Sequence, residues 1–269
     1  MAASEPLLYK RGFIKTENED NGGLIVSVLE FDASMIFDED TDKNSEEYDN
    51  MVVELLTQNE YDFICVQNVV TKKHIMESMT LKGYSSISVK ADNTIKIIFD
   101  TYDENRYFTY SFVIFWNRSK FDIQDYRNKR FDLLVKNKKD VFGIVGFFNH
   151  KETNKKFCVS SIDYIQYCDD IQKMTSLAKY FKDHIEDKDL FVLVCAKCGE
   201  ETYDEMHIGS LEWYLFDRIC TNIINYWGAM IWCGTNNDCS VYALLEKTPV
   251  DITFSPLKEL LAAKIQLKP

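Results

Sequence analysis

The stretch that decides the fold is YDFICVQNV, residues 61–69. Four apolar residues, Phe-Ile-Cys-Val, occupy positions 63–66, and the polar side chains Gln67 and Asn68 follow them. A short apolar run of this kind, rich in residues that favour sheets, predicts a buried strand. The sequence therefore predicts a strand over residues 63–69 that carries two polar side chains near its end.

Similar runs recur on both sides of this stretch, and helical periodicity separates some of them. Further strands are predicted at 24–31, 95–99, 107–116, 141–148, 157–162, 190–195, 230–233 and 241–245. Helices are predicted at 48–59, 72–81, 170–184 and 210–224, with an amphipathic C-terminal helix at 256–267. Strands outnumber helices and do not alternate strictly with them, which favours two packed sheets with helices outside.

The composition is that of a globular protein. The chain has 269 residues, of which 46% are hydrophobic and 14% aromatic, so it can bury a sizeable core. With only 10 Gly and 4 Pro, we expect residues 1–269 to form a single domain. The formal net charge of −12 disfavours unselective attraction to nucleic acid or to anionic membranes, so neither a membrane nor DNA is an expected partner.

Cysteine usage and the lack of a leader bear on location. The eight cysteines are scattered, mostly within apolar segments, as is typical of reduced thiols. The first residues contain no apolar run of signal-peptide length. We therefore expect a cytoplasmic or nuclear protein. Cys195, Cys198, Cys233 and Cys239 form a loose four-thiol spacing, which we interpret as structural thiols rather than a zinc site.

Charge is unevenly distributed along the chain. Residues 38–50 contain seven acidic residues and one lysine, which predicts a solvated acidic loop. Residues 118–139 contain eight basic and three acidic residues. This basic stretch is either a plain solvated surface or a contact surface for RNA or an acidic partner. The candidate contact residues are Arg118, Lys120, Arg127, Lys129 and Arg130.

Five motifs resemble, in order, those of the endonuclease/exonuclease/phosphatase superfamily. YDFICVQNV resembles its second motif, Asp-X-Ile-Cys-Leu-Gln-Glu-Val, and FVIFWNRSKFDI at 112–123 resembles a strand of the deadenylase-like branch that contains nocturnin and Angel. VLEFDAS at 28–34, CVSSIDY at 158–164 and VLVCAKCGE at 192–200 resemble three other landmarks. The resemblance implies an α/β fold, namely a four-layer α/β/β/α sandwich of two packed mixed β-sheets with flanking helices.

The same resemblance implies that catalysis is lost, because the polar positions of the family are replaced. The family holds Mg²⁺ chiefly through the Glu of the second motif, and here that position is the neutral Asn68. The other positions matching family catalytic residues are Asp32 for Asn, Ser161 for Asn, Asp163 for His, Lys197 for Asp and Gly199 for Asn. We therefore expect no catalytic residue, no bound magnesium and no other cofactor.

Two features of the expected site stay open at this stage. The Lys197 ammonium is expected either to take the place of the metal and to neutralise some of Asp32, Asp163 and Asp238, or to extend into solvent. The family's closing Ser-Asp-His motif either lies beyond residue 269 or has shrunk to Asn-Asp-Cys at 237–239.

The function predicted from these residues is that of a catalytically inactive nuclease fold. We expect it to act as a protein-interaction or scaffold subunit in an intracellular RNA-processing or mRNA-decay pathway. One alternative is a pseudo-nuclease that still binds RNA through residues 118–139. The other alternative is a metal-dependent RNA phosphodiesterase or deadenylase with a rearranged site.

Overall fold

Strands dominate the computed structural model of the protein. It describes residues 7–10, 23–33, 46–70, 73–90, 110–131, 141–163, 184, 187–195, 222–226, 229–234, 239–247 and 259–267. The strands are β1 Leu7–Lys10, β2 Ile25–Asp32, β3 Phe63–Val70, β4 Tyr84–Lys90, β5 Tyr110–Asn117, β6 Phe121–Phe131, β7 Val141–His150, β8 Lys156–Asp163, β9 Leu190–Cys195, β10 Asn222–Tyr226, β11 Ala229–Gly234, β12 Cys239–Lys247 and β13 Glu259–Leu267. The helices are α1 Glu46–Thr57 and α2 Lys73–Leu81.

The strands form two mixed sheets. The seven-stranded sheet has the order β1-β10-β11-β9-β8-β7-β6, and the six-stranded sheet has the order β12-β13-β2-β3-β5-β4. In each sheet two central strands are parallel, β8 with β9 and β2 with β3, while the other pairs are antiparallel. This confirms the predicted fold class of two packed mixed sheets.

The two sheets share one apolar core. Alternate residues of the central strands point into the sandwich, as the two-residue period of a strand requires. At its centre Phe63 packs against Phe121 and Phe148, with ring centroids 4.6 and 5.0 Å apart. Phe157 also faces Phe121, at 5.4 Å in an edge-to-face arrangement. These aromatic rings hold the sheets together.

The helices cover the outer face of the six-stranded sheet. Tyr48, Val52 and Leu55 of α1 are fully buried against outward-facing residues of β2, β3 and β5. The prediction of an acidic loop over 38–50 is wrong for residues 46–50, which begin α1, while residues 38–45 lie outside the described residues. Acidic residues in the first turn suit a helix because they face the positive end of its dipole.

The predicted C-terminal helix at 256–267 is wrong, because residues 259–267 form strand β13. Leu261, Ala263 and Ile265 face the core at a two-residue spacing, whereas Ala262 faces the helical layer. A central strand buried on both faces has a nearly continuous apolar sequence, which also satisfies helical spacing. Pairing with β12 and β2 decides in favour of the strand.

Other predicted elements have mixed outcomes. The strands predicted at 63–69 and 190–195 and the helices at 48–59 and 72–81 are confirmed within one or two residues. The helix predicted at 210–224 is wrong at its end, because Asn222–Tyr226 pairs as strand β10 with β11. The strand predicted at 95–99 and nearly all of the helix at 170–184 lie outside the described residues. No helix among the described residues is long and apolar enough to span a membrane.

Candidate functional site

The inward-facing positions change from apolar to polar toward one end of the sandwich, the carboxyl ends of β2, β3 and β8. In β2 the inward face runs Val26, Val28 and then Glu30; in β3 Cys65 is followed by Gln67; and in β8 Val159 is followed by Ser161. Glu30, Gln67 and Ser161 are all buried, at 3%, 0% and 0% exposure. We call these three residues the polar layer.

Hydrogen bonds join the polar layer across the two sheets. Oriented so that each amide atom meets a complementary partner, Gln67 accepts the Ser161 hydroxyl at 2.8 Å. Its amide nitrogen donates to the Phe31 carbonyl and to a carboxylate oxygen of Glu30, at 3.1 Å each. The Gln67–Ser161 contact links residues that are 94 positions apart, and it fixes one sheet against the other at this end.

Glu30 is the site residue that the sequence argument missed. The signal was present, because Val26, Val28 and Glu30 share one face of a strand whose apolar members point inward. Burial raises the pKa of the neighbouring Cys65 thiol, and the negative charge of Glu30 raises it further. Cys65 is therefore a neutral thiol and not a nucleophile at physiological pH.

The backbone brings four of the predicted site positions to the same end. Asp32 ends β2 opposite Gln67, and Asn68 is the next residue of β3. Asp163 ends β8, two residues beyond Ser161. The backbone thus places these four positions at one end of the sandwich. Lys197, Gly199 and Asp238 lie outside the described residues, and β9 ends at Cys195.

The donor chemistry at this end differs from that of the resembling motif at position 68. Gln67 and Ser161 are neutral and are committed to each other, and Asn68 is an amide where the resembling motif has a carboxylate. Mg²⁺ prefers carboxylate and water oxygens in an octahedron. Among the residues that the structure describes, no three histidine, cysteine or acidic side chains form a group able to hold a metal ion. Position 68 thus lacks the carboxylate of the resembling motif, while Glu30 brings a buried carboxylate to this end and the backbone places Asp32 and Asp163 there as well.

The structure describes three of the four cysteines that the sequence analysis interprets as structural thiols. Cys233 is a buried free thiol. Cys195 pairs with Met230, three residues along β11 from Cys233, which is about 10 Å at the rise of a strand. Four thiolates around one zinc need sulfur atoms much closer together. Cys239 starts β12 in the other sheet, and Cys198 lies outside the described residues.

The opposite end of the sandwich contains a buried ionic cluster. The Asp62 carboxylate, 4% exposed, lies 2.7 Å from the Lys120 ammonium. Its second oxygen accepts hydrogen bonds from the Ser27 backbone N–H at 2.8 Å and from the Ser27 hydroxyl at 3.0 Å. The backbone N–H of Asp62 donates in return to the Ser27 hydroxyl at 2.9 Å. This cluster ties the start of β3 to β2 and to the turn before β6.

The structure separates the predicted basic contact residues. Arg118 and Lys120 lie in the turn beside Asp62, whereas Arg127, Lys129 and Arg130 belong to β6. The register places Arg130 beside Phe142 of β7, which in turn pairs with Asp163. The second half of β6 therefore runs toward the polar end of the sandwich, while its first half starts at the ionic end.

The fold is similar to that of solved endonuclease/exonuclease/phosphatase proteins. The human Nocturnin catalytic domain, solved with a bound sulfate anion, is similar with a TM-score of 0.60 at 14% identity, over 91% of this chain and 96% of that one. ANGEL2, a 2′,3′-cyclic phosphatase solved with adenosine-2′,3′-vanadate, is similar with a TM-score of 0.61 at 11% identity, over 99% and 100%.

An endonuclease/exonuclease/phosphatase from Bacteroides vulgatus is similar with a TM-score of 0.63 at 14% identity, over 91% of this chain and 99% of that one. At these identities the similarity establishes the fold alone. No protein-family profile and no curated protein sequence matches the chain.

Proposed function

We propose that this protein is a catalytically inactive nuclease fold that acts by binding. In this proposal it is a protein-interaction or scaffold subunit of an intracellular RNA-processing or mRNA-decay pathway. It works in the cytoplasm or nucleus, it needs neither magnesium nor another cofactor, and membranes and DNA are not among its partners. The RNA pathway follows from the deadenylase-like branch that the motifs resemble.

The observation that carries the proposal is the Gln67–Ser161 hydrogen bond. Ser161 occupies a position that matches a family active-site residue, yet its hydroxyl is fully buried and bonded at 2.8 Å to Gln67. A side chain held in this way stabilises the packing of the two sheets and is not presented to a substrate. This use of a former site position supports a structural role for the polar end.

The charges at the other positions support the same conclusion. A nuclease of this class stabilises negative charge on a phosphate in the transition state. Asn68 supplies no charge to a cation, and a carboxylate at position 163 repels a phosphodiester where the resembling motif has a histidine. Residues that act together in catalysis fail together when several are replaced.

The first experiment measures hydrolysis by the purified full chain. Adenylate-tailed RNA, RNA ending in a 2′,3′-cyclic phosphate, and DNA are incubated with Mg²⁺ or Mn²⁺, and we expect no turnover above background. The matched variants are Asp32→Ala at the candidate site and Asp122→Ala at an exposed position elsewhere. Turnover that Asp32→Ala abolishes and Asp122→Ala leaves intact would overturn the proposal in favour of a rearranged metal site.

The second experiment identifies what the protein binds. Affinity purification from its native cells followed by mass spectrometry is expected to recover a stable protein partner of RNA metabolism without added RNA. Recovery that disappears after ribonuclease treatment would instead favour the RNA-binding alternative. That alternative also predicts an affinity for single-stranded RNA that falls steeply with salt.

A further inference from the structure

The seven-stranded sheet ends on an unusually long edge. Strand β6 has 11 residues, compared with nine for β12, seven for β4 and four for β1, which are the other edge strands. β7 pairs with one side of β6, and no strand of the described residues pairs with its other side. An edge of this kind presents backbone N–H and C=O groups that another extended chain can pair with.

The second half of this edge carries positive charge. A bulge between Ile123 and Asp125 divides β6, and residues 126–131 beyond it contain three basic residues and no acidic one. In the first half Asp122 lies 3.3 Å from the ammonium of Lys151. The other three edge strands contain a single lysine each. The basic charge is thus concentrated on one regular six-residue segment, which we call the β6 edge segment.

We propose that the β6 edge segment, residues 126–131, binds an extended acidic peptide segment of a protein partner by adding it as a strand to the sheet. This inference rests on the proposed binding function and names its surface and the chemistry of its partner. Backbone hydrogen bonds supply the affinity in strand addition, and side-chain charge supplies the selectivity. The negative charge of such a segment complements the three basic residues that the sequence places in residues 126–131.

Two other occupants, a second copy of the chain and RNA, fit the segment less well. Pairing of β6 with β6 of a second copy places its basic residues against one another, which is unfavourable. RNA matches the charge but does not pair with the alternating backbone donors and acceptors of the edge. Lysine and arginine on an edge strand also serve simply to prevent strand pairing. Each of these alternatives predicts a different result with the probes below.

The test uses a fluorescent ten-residue peptide of alternating glutamate and threonine, titrated with the full chain and followed by anisotropy. One comparison peptide has lysine in place of glutamate, and another keeps the glutamates but has methylated backbone amides. The charge-reversed variant is Arg127→Glu/Lys129→Glu/Arg130→Glu. Its matched control is Lys73→Glu/Lys82→Glu/Lys264→Glu, which changes the net charge equally at three exposed positions outside β6.

The acidic peptide is expected to bind the natural chain and the control variant with similar affinity. Binding should weaken at least about tenfold with the charge-reversed variant, with the methylated peptide and with the lysine peptide. Equal binding of the methylated peptide would overturn strand addition, and equal binding by the charge-reversed variant would overturn the location. No binding of the acidic peptide means that the basic residues only protect the edge, which also overturns the proposal.

Two further measurements separate this inference from its rivals and from the proposed function. Tighter binding of a single-stranded RNA of matched charge, lost in the charge-reversed variant, would overturn the peptide in favour of RNA. If the natural chain sediments as a dimer and the charge-reversed variant sediments as a monomer, the edge binds a second copy, which would also overturn the peptide proposal. Turnover in the hydrolysis assay would overturn the inactive role while leaving peptide binding to β6 intact, so the two failures are distinguishable.

Discussion

The two ends of the sandwich bury polar groups in opposite ways. At the amino ends of β2 and β3 the buried group is the charged Asp62 carboxylate. It accepts hydrogen bonds from the Lys120 ammonium and from the backbone N–H and hydroxyl of Ser27. At the carboxyl ends the Gln67 amide and the Ser161 hydroxyl form a neutral bridge beside Glu30. Both ends thus bury a carboxylate, but among the described contacts Glu30 meets the neutral Gln67 amide, whereas Asp62 meets the Lys120 ammonium.

The comparison predicts that the ionic end contributes more to stability. Asp62→Ala removes the acceptor from the buried Ser27 N–H and from the Ser27 hydroxyl, and it should lower the free energy of unfolding by about 3 kcal/mol. Urea unfolding followed by fluorescence measures this change. The comparison variant is Lys120→Met, which removes the half-exposed ammonium but leaves Asp62 with both Ser27 donors, so its loss of stability should be smaller than that of Asp62→Ala. Equal losses would place the stability in the ion pair and not in the hydrogen bonds.

A smaller effect is expected at the polar end. Ser161→Ala leaves an atom of Gln67 without its buried partner, which should cost about 1–2 kcal/mol. A double-mutant cycle with Gln67→Met measures the coupling between the two side chains, and we expect about 1 kcal/mol. Independent effects of the two substitutions would show that the bridge contributes nothing to the packing of the sheets.

The adjacent residue is a matched control for this cycle. Ser160 is equally buried but lies on the other face of β8, and its hydroxyl has no hydrogen-bond partner among the described residues. Ser160→Ala removes a hydroxyl without breaking a bond, so it should leave the stability unchanged or raise it. A loss as large as that of Ser161→Ala would mean that the cost at 161 does not come from Gln67.

The sequence predicted several strands but not the contacts between the two sheets. The strands at 63–70 and 190–195 could be predicted because continuous apolar runs identify buried strands, and Asp32, Asn68 and Asp163 could be singled out only through the resemblance of their motifs to a known family. The bond from Gln67 to Ser161 could not, because it depends on the packing of one sheet on the other. Periodicity within a segment carries no information on which partner a polar side chain meets.

Two strands show a different limit. The sequence did not predict β6 as a strand, because an edge strand needs fewer apolar residues than a central one and FDIQDYRNKRF lacks a clear alternation. The sequence predicted a helix in place of β13 for the opposite reason. Burial on both faces gives this strand a nearly continuous apolar run, which is also compatible with a helix. In both cases the position of the strand in its sheet, and not its local sequence, decides which residues it contains.

The smallest expected effect is a pH dependence at the ionic end. His150 is 4% exposed, its ring packs against Phe121 at 5.1 Å between centroids, and its Nδ1 lies 3.0 Å from the Thr153 hydroxyl. Burial lowers the pKa of this histidine below its ordinary value near 6.5, and the charge of Lys120 acts in the same direction. Glu152 and Asp62 oppose the shift, but burial outweighs them.

The sign of the effect follows from proton binding. Because the unfolded chain protonates His150 more readily than the folded one, acid favours unfolding, and stability falls as the pH drops below about 6.5. One proton limits the slope to about 1.4 kcal/mol per pH unit. His150→Gln removes this titration, so the stability difference between the natural chain and the variant should change between pH 7.5 and 5, in favour of the variant at low pH. His74→Gln, at an exposed position of α2, is the control. A constant difference for His150→Gln would show that the ionic end buries this ring without excluding its proton.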